Sequence, residues 1–415
     1  MTSGWAWGVL RCGVQVAYPV PTPSNDRGGR RGTRTGSVRV AGDPRRVTEV
    51  LSTRRLNRAL LARQALLSRT DDSPTAMVER LAGVQAQEAA PPFVGLWSRI
   101  EGFGREDLLG ALRDARVIRA TAMRGTIHLL SAADYARHRM TLQPVLRTAL
   151  RMPDMRAVAE DADLDAVLAL AHRLLTEEPR PIAALQGPLH DAFPQLDGHA
   201  AAQVARMLLP LVQVPTPGHP DGYAPSASFA PAERLLHAPL TPDGPRHELV
   251  RRYLAAFGPA TAADATKWCG LTGMREVLAE LDDVVRFEDE AGRTLHDLRD
   301  APRPEEDVAA PVRFLPRFDN ALLSHVHHER ILDPVHRPHV FTVNGIIFGT
   351  VLVDGFAVAT WSSSAGPEGA TLRVVPFRRP SQRTAGSIRA EGRRLLRFLV
   401  PGRGPREVEI APAVG

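Results

Sequence analysis

Lysine is almost missing from this chain: of 52 basic residues in 415, only Lys267 is a lysine. Covalent catalysis through a Schiff base is therefore limited to Lys267 or a terminal amine. Cysteine is nearly as scarce. Cys12 and Cys269 alone make neither a disulfide framework nor a cysteine-based zinc site, so redox chemistry is not expected. No stretch approaches the roughly 18 uninterrupted apolar residues of a membrane span. The nearest candidate, from Trp5 to Val20, is broken by Arg11 and Gln15. No dimerisation heptad is present either. What remains is a chain with 44% apolar residues, long enough to fill the cores of roughly two to four domains. A soluble, cytoplasmic, monomeric protein without membrane contact is expected.

The net charge of +6 invites a nucleic-acid reading, so its distribution matters. Residues 1–46 hold eight Arg and two Asp and carry the whole excess. The body, residues 47–415, is balanced at 44 basic and 44 acidic groups. Within it, residues 47–150 hold 15 basic against 10 acidic, 151–300 hold 14 against 23, and 301–415 hold 15 against 11. Mildly basic ends thus flank an acidic middle, which permits a local phosphate-binding face built from the first and last thirds. The tail 1–46 combines Gly, Pro, Ser and Arg without apolar periodicity and reads as disordered. It is either a basic arm that holds DNA or an upstream extension from a misassigned start.

From Ser52 the pattern turns periodic. Ser52 caps a helix with Leu56, Leu60 and Leu67 on one face, and Ser73-Pro74 opens a second that ends at Gly83. Further helices are expected around Phe93 to Ile100 and Glu106 to Arg113. The period then switches to two over Val117 to Thr121 and Thr126 to Leu130, which flank Met123-Arg124-Gly125 as a hairpin. Helices followed by a hairpin describe a winged helix, unit one (47–150). The order returns in unit two (151–230), with helices near 164–175, 182–193 and 200–209, then strands at 211–214 and 222–224. It returns again in unit three (231–305), with helices at 247–257, after Thr261 and at 273–281, then strands at 284–287 and 294–298. Residues 306–415 differ: strands at 340–343, 346–353, 355–361 and 371–375 and a helix over 387–399 suggest a small β-barrel or sandwich. The fold class read this way is α+β, tandem winged-helix units followed by a barrel-like domain.

Several short runs then gain meaning together: Leu56-Asn57-Arg58, Arg63-Gln64, Gly83-Val84-Gln85-Ala86-Gln87, Arg124-Gly125-Thr126-Ile127-His128-Leu129, Leu315-Pro316-Arg317-Phe318-Asp319-Asn320 and Leu352-Val353-Asp354-Gly355. In this order, over about residues 50 to 400, the chain resembles the AlkZ-like winged-helix DNA glycosylases, relatives of the YcaQ-like proteins. The resemblance implies a C-shaped scaffold of tandem winged helices with a terminal β-barrel. It also implies a catalytic motif of Gln, an apolar residue and Gln, matched here by Gln85-Ala86-Gln87. The YcaQ-like branch has Asp at the last position, so Gln87 puts the chain on the AlkZ-like side, which is associated with self-resistance to DNA-alkylating natural products and crosslink unhooking. The partner it implies is double-stranded DNA carrying alkylated purines.

Two amides suit such a lesion. A neutral base would call for a carboxylate to polarise water and stabilise an oxocarbenium-like sugar. An N7-alkylpurine is already cationic and leaves neutral, so orientation of water and lesion contributes more. Glu88 adjoins the motif and is a further candidate. Arg124 at the hairpin tip is expected to meet phosphate, with Arg54, Arg55, Arg58, Arg63 and His128 as further DNA-contact candidates. The hairpin run Pro215 to Tyr223 lacks the Arg that many relatives carry, leaving His219 or Tyr223 as substitutes. Lys267 is near no motif, which points to a monofunctional enzyme without a cofactor. His325, His327, His328, His336 and His339 are dense enough to raise a metal site, but no carboxylate or cysteine at ligand spacing accompanies them and Pro334 and Pro338 imply irregular backbone, so no metal is expected. The competing class is a non-catalytic winged-helix DNA-binding protein or transcriptional regulator.

Overall fold

The computed structural model describes residues 49–414 apart from 237, 243, 367, 368 and 403. The basic tail 1–46 lies outside the described residues. Strands β1 (Val50–Leu51), β2 (Val84–Gln85), β3 (Val117–Thr121) and β4 (Ile127–Ser131) fall in the first third. β5 (Leu211–Gln213) and β6 (Phe229–Pro231) follow, then the hairpin of β7 (Val284–Asp289) and β8 (Thr294–Leu298). The last third holds β9 (Arg313–Leu315), β10 (Gly349–Val353), β11 (Phe356–Gly366), β12 (Gly369–Pro376) and β13 (Arg406–Ile410). Helices fill the intervals, so the protein is of mixed α+β class.

The first helix, Thr53–Arg63, starts where expected because the Ser52 side chain accepts from the Arg55 N–H. Ser73 does the same for Pro74–Arg80, and Thr261 and Asp264 form a reciprocal capping box on Ala262–Cys269. The hairpin of β3 and β4 pairs Val117 with Ser131 through Thr121 with Ile127, closing over a short turn at Met123–Gly125. In unit two the return strand is β6, not residues 222–224 as hydropathy suggests. Tyr223 is instead buried with its ring beneath Arg119. Residues 340–343 likewise form no strand, since Arg337–Val340 is a short helix opened by Pro338 near its start.

The sheets cross the boundaries that composition suggests. One five-stranded sheet has the order β2-β4-β3-β5-β6, joining the hairpin of residues 117–131 to strands beyond residue 210. β1 pairs in parallel with β7, so the start of the described chain completes the third unit's hairpin. The small β-barrel or sandwich expected of the last third is instead one open five-stranded sheet, β13-β12-β11-β10-β9. β12 and β13 pair in parallel, which requires a crossover connection. The helix Gln382–Leu399 supplies it and buries Ile388, Leu395 and Leu396 in the core that also holds Phe314 and Val408 from the sheet. Among the described residues, no helix is long and apolar enough to cross a membrane.

Candidate active site

The chain enters β2 at Gly83, whose φ of +92° suits glycine and whose missing Cβ would stand 2.8 Å from Leu130 Cδ2, leaving room for no side chain. β2 then pairs with β4, setting Gln85 opposite His128. Asn320 brackets the strand from the other side: its Nδ2 donates to Gly83 O at 2.7 Å, and its Oδ1 accepts from the Gln85 N–H at 3.3 Å. Beyond Gln85 the backbone is held by Arg119, whose guanidinium donates to Ala86 O at 2.8 and 3.0 Å and to Gln87 O at 3.2 Å. Burial lowers Arg119 to about 10, which leaves it charged at neutral pH. A lone Arg in the apolar run 117–121 was the sequence signal for this support, and Asn320 sits in a quoted motif, but neither carries a role in the sequence reading.

Both motif side chains have their amide oxygens engaged. Gln85, buried, accepts at Oε1 from Arg124 Nη2 at 2.7 Å. Gln87, exposed, accepts at Oε1 from the Ile127 N–H at 3.3 Å. Arg124 has φ +58° at the hairpin tip, and its fork also donates to Trp268 O at 2.6 Å. Its Nη2 lies 3.4 Å from His128 Nε2. His128 Nδ1 is 3.1 Å from Thr126 O, so the N–H is on Nδ1 and the lone pair on Nε2 faces the guanidinium. Three separated motifs, at 83–87, 124–128 and 315–320, thus meet around two amides.

The surroundings are cationic. Lys267, remote from every motif in sequence, precedes Trp268 on the helix Ala262–Cys269, and that residue's carbonyl seats Arg124. Its Nζ donates to His325 O at 2.6 Å. Burial lowers the amine to about 8; Asp264 opposes the shift, and Arg124 and Arg337 add to it. Glu88 is matched by Arg317, with Nη1 2.8 Å from Oε1, which argues against a free carboxylate base beside Gln87.

A sequence model of the family described as "DNA glycosylase AlkZ-like" matches residues 78–398, most of the chain and all three converging motifs. The chain belongs to the AlkZ-like DNA glycosylase family. The interstrand DNA cross-link repair glycosylase of Streptomyces sahachiroi is 26% identical to it over 325 residues, 72% of this chain and 85% of that protein. The solved structure of the Streptomyces sahachiroi DNA glycosylase AlkZ has the same fold, with a TM-score of 0.71 at 22% identity, covering 87% of this chain and 100% of the other.

In this AlkZ-like glycosylase the other DNA-contact candidates sit elsewhere. Arg58 and Arg63 are buried, Arg58 on Asp354 and Arg63 on Asp297 at 2.7 Å, so neither can reach a phosphate. Arg54 is turned to Asp354 and Arg55 to Glu49 and Glu305. These four arginines join the first helix to distant segments; their helical spacing gave no sign of the carboxylates waiting for them. His128 is fully buried because both faces of β4 are covered, and burial pushes it down to about 3, so it is neutral and cannot bind phosphate as a cation. Tyr223 is buried too, while His219 Nδ1 is occupied by the Asp221 N–H at 3.2 Å. The histidine-rich segment is dispersed: His325 lies against Phe257, His328 against Phe341, and His336 and His339 against Phe377. Among the described residues no three His, Cys, Asp or Glu side chains converge as metal ligands.

Proposed function

We propose that this AlkZ-like glycosylase excises N7-alkylpurine adducts, bulky adducts and interstrand crosslinks included, from duplex DNA by hydrolysing the N-glycosidic bond and leaving an abasic site. The observation that carries the reading is the meeting of three separated motifs on Gln85 and Gln87, with Gln87 exposed to incoming DNA. In this reading the recurring helices and hairpins act as tandem winged helices in a C-shaped scaffold around the duplex, and the positive charge of Arg124 and Lys267 attracts it at long range without phosphate contact. The name of the Streptomyces relative, a cross-link repair glycosylase, supports the lesion class. Water is the nucleophile and the enzyme is monofunctional, a view supported by the Lys267 amine being held on the His325 carbonyl.

The chemistry follows from the leaving group. A cationic purine departs neutral with the electron pair of the C1′–N9 bond, water bonds to C1′, and one proton passes to solvent. Little base catalysis is needed, and alignment of the reactants supplies much of the rate. Replacing both glutamines by Ala should lower single-turnover release of 7-methylguanine from a duplex by more than about tenfold, each decade being worth about 1.4 kcal/mol of transition-state stabilisation. Equal release by wild type and the double variant would remove the pair from catalysis. A protein that only binds DNA would release no base from this duplex or from one bearing a bulky N7 adduct.

A further inference from the structure

Resting on the proposed glycosylase reading, we infer that the motif works through its two amide N–H2 groups, as paired hydrogen-bond donors to the departing purine, and that Arg124 is the residue that positions Gln85. The orientation follows from partner chemistry. A guanidinium and a backbone N–H can only donate, so the atom each meets on Gln85 and Gln87 must be the amide oxygen. Each Nε2 then points away from its anchor. Neither donates to any group among the described residues, and neither is sealed from solvent. The two donors lie one residue apart, at the end of a strand whose backbone is clamped by Asn320 and Arg119.

Donors placed there serve the part of the reaction where electrons accumulate. As the C1′–N9 bond breaks, its electron pair moves onto the purine, whose carbonyl oxygen and ring nitrogens gain negative character. Fixed N–H groups aimed at those acceptors bind the transition state more tightly than the cationic ground state. An arrangement that aligned or deprotonated water would use the amide oxygens, and each of these already gives one of its two lone pairs to an anchor while both N–H2 groups stay open. Arg124 makes the geometry specific. Its fork spans Trp268 O, Gln85 Oε1 and the His128 Nε2 lone pair, so the guanidinium is committed to holding the amide rather than to a phosphate.

The test exchanges N–H2 for oxygen without changing shape. In full-length Gln85→Glu and Gln87→Glu, the oxygen facing Arg124 or Ile127 is kept, the donor is lost and a negative charge is added. Single-turnover release of 7-methylguanine should fall at least about tenfold in each, to the level of the Ala variants. Release at or above the wild-type rate in either Glu variant would overturn the donor role, because a carboxylate improves a water-orienting group. Arg124→Gln should lower kcat with KM for the duplex little changed, and Arg124→Lys should restore part of it. A raised KM with unaltered kcat would instead make Arg124 a phosphate contact. A readout independent of the lesion separates this inference from the N7-alkylpurine reading. With ¹⁵N-labelled glutamine, the Gln85 and Gln87 side-chain N–H2 protons should exchange rapidly with solvent in the free protein and shift when abasic duplex and 7-methylguanine are added. Slow exchange in the free protein would mean that they face inward, and the orientation would be wrong whatever the substrate.

Discussion

At the scale of single residues, the site depends on buried charges that never touch DNA. Arg99 and Asp319 form a bidentate pair at 2.9 Å for both bonds, each almost fully buried, and Arg99 also reaches Gln64 Oε1 at 3.3 Å. Asp319 caps the short helix that begins with Asn320, and Asn320 holds β2. Asp319→Ala leaves a guanidinium without its counter-charge in the core and should destabilise the protein by about 3–5 kcal/mol. Chemical denaturation checks this; a loss under about 1 kcal/mol would mean that water replaces the carboxylate. The motif at 315–320 is therefore a bolt for β2, and its Arg317 pairs with Glu88 as well.

At the scale of elements, the helix Ala262–Cys269 sets the seat of Arg124, because Trp268 O is one of its last carbonyls. Its N-terminus is fixed by Thr261, whose Oγ1 accepts from the Asp264 N–H at 3.1 Å and donates to the Asp264 carboxylate at 2.8 Å. Thr261→Ala should cost about 0.5–2 kcal/mol. It should also lower base release at temperatures where the fold persists; an unchanged melting temperature would show the box to be redundant. This helix, with its cap, was legible in the sequence, as were the hairpin 117–131 and the turn at Gly83, because each is encoded by neighbours. The return strand of unit two was not: Phe229-Ala230-Pro231 ends in proline, which argues against a strand, while Gly222-Tyr223-Ala224 imitates one. The glutamine pair was visible through its motif. The inward turn of Arg58 and Arg63 was not legible, because carboxylates 296 and 234 residues away decide where those cations point.

At the scale of the whole molecule, five histidines are held in the neutral form. Burial is the main cause in every case: it pushes His128 and His328 down to about 3 and His138 and His296 to about 4, and it lowers His325 as well. Unfolded, each would bind its proton near 6.5, so below that pH the unfolded chain takes up more protons than the native one. Stability should therefore be level between about pH 6.5 and 8 and fall on acidification toward pH 4, by up to about 1.4 kcal/mol per pH unit for each histidine. Urea midpoints at pH 7 and pH 5 measure the effect, and equal midpoints would mean that these side chains titrate in place.

The joint between the first helix and the last third has a consequence for how the protein is made. Asn57 and Arg58 find their partners at Gly355 and Asp354, 298 and 296 residues later. A ribosome adding about 5–20 residues per second places that partner on the order of 15–60 s after the helix has emerged. During that interval the helix carries Arg58 without its counter-ion and the apolar face of Leu60 and Leu61 without its cover from the last third. The nascent chain is thus committed to its final topology late, and the stretch that opens the structure is among the last to be locked in place.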